Sequence, residues 1–65
     1  MRNNKIGERL RTLRGNKTRG EVATALKLSI SAIKMYESNL RVPQDDIKIR
    51  IAKYFDKSVQ ELFFE

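Results

Sequence analysis

The chain has 65 residues, a formal charge of +6 from 14 Lys and Arg against 8 Asp and Glu, and neither cysteine nor histidine. So short a chain has room for one thin-cored domain, residues 1–65, with no disulfide or thiolate metal site to reinforce it. Without histidine the commonest metal ligand is missing too, and neither a metal nor a cofactor is expected.

The first predicted element is a helix with Ile6, Leu10 and Leu13 at i, i+4 and i+7, one apolar stripe from which Arg9, Arg11 and Arg14 point away. Gly15-Asn16 ends it, since both residues tolerate the left-handed conformation. Thr18-Arg-Gly-Glu21 has capping-box spacing and opens a second helix with Val22, Ala23 and Leu26 inward. Gly20 weakens that helix by up to about 1 kcal/mol relative to alanine. Ser29 is the expected N-cap of a third helix, with Leu28 reaching the core just before it, Ile33 and Tyr36 inward, and Ser38-Asn39 as its stop. Val42-Pro43 is an extended connection. Asp45 and Asp46 then suit the start of a fourth helix, whose inward face is Ile47, Ile51, Ala52 and Phe55 and whose Lys48, Arg50 and Lys53 are solvated. A second capping box, Ser58-Val-Gln-Glu61, begins a short fifth helix carrying Val59, Leu62, Phe63 and Phe64. Ile47-Lys-Ile-Arg-Ile51 alternates as a strand would, but it runs without a break into Ala-Lys-Tyr-Phe behind two aspartates, which favours helix. The expected fold is all-α, with five helices.

The charge is unevenly placed. Positions 1–34 hold nine of the 14 basic residues and only Glu8 and Glu21 as acids, whereas positions 35–65 hold five basic and six acidic residues. A positive field therefore covers the N-terminal half, an attraction for polyanions. Within it, about residues 18–38 read as two short helices joined by a tight turn, the layout of a DNA-reading helix-turn-helix. The third helix is expected to expose Ser29, Ile30, Ser31, Ala32, Lys34 and Met35, mostly short side chains that let a helix approach base edges. Ser31 can donate or accept, Ile30 and Ala32 suit a thymine methyl group, Lys34 can reach guanine or a phosphate, and Met35 adds apolar contact. Arg19, Asn16, Lys17 and Thr18 lie at the start of the second helix, Ser29 caps the third, and Asn39 and Arg41 lie just past its end. These groups are expected to grip phosphates on both sides of the base-reading surface. Taken singly, each cation reads better as a solvated charge, and an exposed Ile30 and Met35 have a protein contact or a place in the core as their lesser alternative. The combination favours DNA.

The stretch Thr18–Pro43, with IGERLRTLR before it and SVQELFF after it, resembles the Cro/CI-type (lambda-repressor-like, XRE) helix-turn-helix family of bacterial and phage regulators. The resemblance runs from about Ile6 to Phe64 and rests on the T-x-x-E-V-A start, L-S-x-S-x-I in the third helix, the Y-E at its end, R-V-P, and the S-x-x-E-L-F close. It implies a compact five-helix domain, usually dimeric, that binds operator DNA and represses or activates transcription. Carried over, base contact falls on Ile30, Ser31, Lys34 and Met35, with Arg19 touching phosphate or a base. Arg14 and Glu37 stand where many members form a partly buried ion pair that orients the arginine toward phosphate. Three departures mark this chain: a short Gly15-Asn-Lys17 connection, Lys27 where the turn usually has glycine, and the apolar Ile30 at the leading recognition position.

These features point to a sequence-specific regulator of double-stranded DNA, with repression the expected sign and a near-palindromic operator. The alternative is a protein-interaction or antitoxin-like module that keeps the fold. An enzyme is not expected: no pair of catalytic groups stands out, and Asp45-Asp46 and Glu61/Glu65 read as helix-start and terminal charges. RNA is disfavoured for lack of exposed stacking aromatics. No apolar run approaches 18 residues and Met1–Asn4 begins no signal peptide, so a cytoplasmic protein of a bacterium or phage-infected host, at the nucleoid, is expected, without membrane or small-molecule partners. Leu62, Phe63 and Phe64 offer more apolar surface than one short helix buries, which points to a homodimer through the C-terminal helix; the alternative is that both phenylalanines cap the core of the monomer.

Overall fold

The structure, a computed structural model, describes residues 5–64; Met1–Asn4 and Glu65 lie outside it. Five helices follow in chain order: α1 (Ile6–Arg14), α2 (Arg19–Leu26), α3 (Ile30–Glu37), α4 (Asp45–Phe55) and α5 (Val59–Phe63). Helix α3 packs on α1 and α2, α4 on α2 and α5, and α1 closes against α5. Their buried faces meet in a core of Leu10, Val22, Ala23, Leu26, Ile33, Tyr36, Ile51, Ala52, Leu62 and Phe63.

Local chemistry sets the boundaries. The Thr18 hydroxyl accepts from the Glu21 amide and the Glu21 carboxylate accepts from the Thr18 amide, so both ends of the capping box are made. Ser58 and Glu61 repeat the pattern at α5, and Ser29 Oγ accepts from the Ala32 amide at α3. Gly15 stops α1 at φ 57°. Lys27 sits in the left-handed region at φ 60°, ψ 43°, the cost of placing lysine where the turn asks for glycine. Asn39 takes φ 61° beyond α3.

Several side chains that the sequence leaves in solvent are engaged. Arg9 Nη1 donates to the carbonyls of Glu61 and Leu62, tying α1 to the end of α5. Arg50 Nη1 donates to the Leu26 carbonyl at the end of α2, 2.8 Å away, and so braces the helix-turn-helix turn from α4. Lys48 folds back over the rings of Phe63 and Phe64 instead of extending into water. Ala32, expected on the outer face of α3, is half-buried and packs against the core. Leu62 and Phe63 are also corrected: both lie inside the core of this chain, and of the three residues assigned to a dimer contact Phe64 alone is exposed. Five short helices can absorb one aromatic from the last turn because α1, α4 and α5 converge there.

Gly7 owes its identity to α3. Its amide donates to Asn39 Oδ1 at 3.1 Å, and a Cβ at this position would collide with the backbone carbonyl of Glu37. Helix α1 thus crosses the end of α3 at a distance only glycine permits.

Candidate nucleic-acid interface

One side of α3 is fixed in the protein: Ile33, Tyr36 and Glu37 are buried. On the other side Ile30, Ser31, Lys34 and Met35 are all exposed, and their i, i+1, i+4, i+5 spacing puts them on one face. Ile30 is 52% exposed, which leaves it open to an approaching groove. The Ile30 side chain borders Gly20, so the first turn of α2 lies beside the first turn of α3.

The other side of the first turn of α2 meets the far end of α3. Glu37, 3% exposed, is the one buried charged side chain among the described residues. Its Oε2 accepts from Arg14 Nε at 2.7 Å, and its Oε1 accepts from Arg14 Nη2 at 3.2 Å. The same Oε1 accepts from Arg19 Nε at 3.0 Å. Arg14 also donates through Nη1 to the Lys17 carbonyl at 2.8 Å, which fixes the short connection between α1 and α2. One carboxylate on α3 therefore binds the end of α1 and the start of α2. The hydrogen bond that Arg14 donates to Glu37 raises the pKa of Arg14 above its ordinary value, against an opposing effect of burial. Among the described residues no buried side-chain nitrogen or oxygen lacks a partner.

The two halves of this bridge differ in exposure. The Arg14 side chain is 18% exposed and that of Arg19 42%. The Arg14 link is shielded and bidentate. The Arg19 link, open to water and single, is worth at most about 1 kcal/mol and matters more for direction than for stability. The family resemblance pairs Arg14 with Glu37, but it gives no sign that Arg19 joins them; both arginines lie on other helices than Glu37, so no helical spacing relates either to it.

The other expected phosphate ligands lie in the connections and caps of α2 and α3. Asn16 and Lys17 are exposed in the α1–α2 connection, and Lys17 Nζ lies 5.5 Å from the centre of the Tyr54 ring. Thr18 and Ser29 use their hydroxyl oxygens as cap acceptors, leaving the O–H of each to donate outward. Asn39 uses Oδ1 for Gly7, which leaves its amide nitrogen as the outward donor. Arg41 is exposed in the α3–α4 connection.

A five-helix all-α unit whose α2 and α3 form a braced pair with an open outer face on α3 is a helix-turn-helix domain. The chain belongs to the helix-turn-helix family HTH_3, of XRE or Cro/CI type, whose family model matches residues 8–62. Membership makes it a DNA-binding transcriptional regulator, and the family is not one of enzymes. No curated protein and no solved structure shows significant similarity to it. Among the described residues no helix is long and apolar enough to cross a membrane, and no group of three His, Cys, Asp or Glu side chains could hold a metal ion.

Proposed function

We propose that this protein is a repressor-type regulator that reads double-stranded operator DNA by inserting α3 into the major groove. The observation that carries the reading is the exposed row Ile30, Ser31, Lys34 and Met35 on a helix whose opposite side is locked into the core. Ser31 and Lys34 supply hydrogen bonds to base edges; Ile30 and Met35 supply apolar contact, for which the thymine methyl is the matching surface. Asn16, Lys17, Thr18, Ser29, Asn39 and Arg41 hold the phosphates, Arg14 adds charge from behind them, and Arg19 stands between the two groups. Two copies on a near-palindromic site would place half-sites one helical turn apart; Phe64 is the apolar contribution of α5 to such a pair. The setting is the cytoplasm, at the nucleoid.

Selection of operators from a random duplex pool tests this, followed by affinity measurements between about 50 and 200 mM salt. A recovered consensus bound with a steep negative salt slope is the expected result. Binding without sequence preference and with a flat salt response would refute it, and would favour a protein-interaction module that keeps the fold.

A further inference from the structure

The guanidinium of Arg19 is anchored at one edge only. Nε is taken by Glu37 Oε1, while its two terminal nitrogens, carrying four of its five N–H donors, make no hydrogen bond with any described residue. Arg14 is the contrary case, with Nε, Nη1 and Nη2 each donating a hydrogen bond to the protein. From this asymmetry we infer that Glu37 is a positioning residue that fixes Arg19 as a clamp on a DNA phosphate and holds it away from base edges. The inference rests on the proposed reading of DNA by α3 and divides the labour within it.

The geometry behind it is the length of α3. Base contact by a recognition helix is made chiefly from its first turn, here Ile30 and Ser31. Glu37 closes the last turn of the same eight-residue helix, about 10 Å further along its axis. An arginine bonded to Glu37 through Nε points its free edge beside the end of α3, where the duplex backbone rises past the groove. Charge fits as well. Two guanidiniums around one carboxylate leave a local charge of +1, which a single phosphate neutralises. A planar fork can bind carboxylate on one edge and phosphate on the other, whereas an ammonium offers one point to share between them.

The test uses the whole chain with a selected operator and a random-sequence duplex, each titrated over a range of salt. For each copy bound, Arg19→Ala is expected to weaken binding about tenfold on both DNAs and to reduce the salt slope by about 0.9, and it leaves the base-preference profile unchanged. Arg19→Lys keeps the charge and the slope but loses affinity on both duplexes. In a Glu37→Gln background, with folding verified by circular dichroism, Arg19→Ala costs much less than in the wild type. The inference is overturned if Arg19→Ala changes preference at one base pair with the slope intact, if lysine serves as well as arginine, or if the alanine loss is the same in both backgrounds. Should Glu37→Gln fail to fold, the alanine and lysine outcomes at position 19 still decide it. A wild type that shows no operator preference would overturn the α3 reading itself, a result distinct from failure of the clamp alone.

Discussion

Replacing Gly7 by alanine should destabilise the protein, although alanine is the better helix former. Intrinsic propensity favours alanine by about 0.5–1 kcal/mol inside a helix. At position 7 the new Cβ would lie 2.7 Å from the carbonyl carbon of Glu37 and nearer still to its oxygen. Ordinary carbon contacts begin at about 3.5 Å, and the obstacle is backbone, with no side chain to swing aside, so α1 must retreat by about 1 Å. Overpacking of this kind costs about 1–3 kcal/mol. The retreat also lengthens the 3.1 Å bond from the Gly7 amide to Asn39, with a loss of about 1 kcal/mol. The net destabilisation is about 1–3 kcal/mol, a large part of the roughly 3–10 kcal/mol that a chain of this length commands. At about 4–8 °C per kcal/mol, Tm falls by about 5–20 °C in a thermal melt followed by circular dichroism. Gly20→Ala is the control. There a Cβ meets only ordinary contacts, 3.7 Å from Ile30 Cδ1 and from Thr18 Oγ1, so propensity wins and stability rises by about 0.5–1 kcal/mol. A Gly7→Ala variant as stable as the wild type, or both alanines shifting Tm in the same direction, would refute the close approach of α1 to α3.

Three further outcomes are expected. Lys27→Gly relieves a left-handed lysine and should stabilise the fold by about 0.5–1 kcal/mol after the entropy glycine adds to the unfolded chain; an unchanged or lower Tm would contradict the strain. The Ser58 amide, and after it the Ser58 hydroxyl, hold the Glu61 carboxyl below its ordinary value, so its contribution is full above the unfolded value of about 4.3 and is lost as pH falls through the lower folded value. The stability gap between wild type and Glu61→Gln should therefore close on acidification; a gap independent of pH would count against the capping box. Ile30→Ala, at an exposed site, should leave Tm nearly unchanged and relax operator preference at a thymine-containing step without altering the salt slope, and an unchanged preference profile would sink the apolar contact.

Much of this molecule is written locally. Thr18 with Glu21 and Ser58 with Glu61 begin helices through contacts three residues apart, and the stripes through Val22, Ala23 and Leu26 or Ile51 and Ala52 follow from a 3.6-residue period that any window of sequence contains. The outward row on α3 was legible for the same reason: once Ile33 and Tyr36 turn inward, Ile30, Ser31, Lys34 and Met35 have to turn out. Ala32 marks the limit of that logic, because a residue at the edge of the stripe is buried or exposed according to what stands beside it.

By itself, then, the sequence determined five helices, their serine and threonine caps, the helix-turn-helix and the exposed row on α3, all consequences of short-range spacing. Tertiary structure decided what depends on pairs far apart in the chain. It brought Arg19 to Glu37 across 18 positions, set Gly7 against the end of α3, took Arg50 to the carbonyl of Leu26, and drew Leu62 and Phe63 into the core while leaving Phe64 outside. Periodicity reports which way a side chain leaves its own helix. It carries no information about which carboxylate, carbonyl or ring waits there, because that is fixed by how the helices cross.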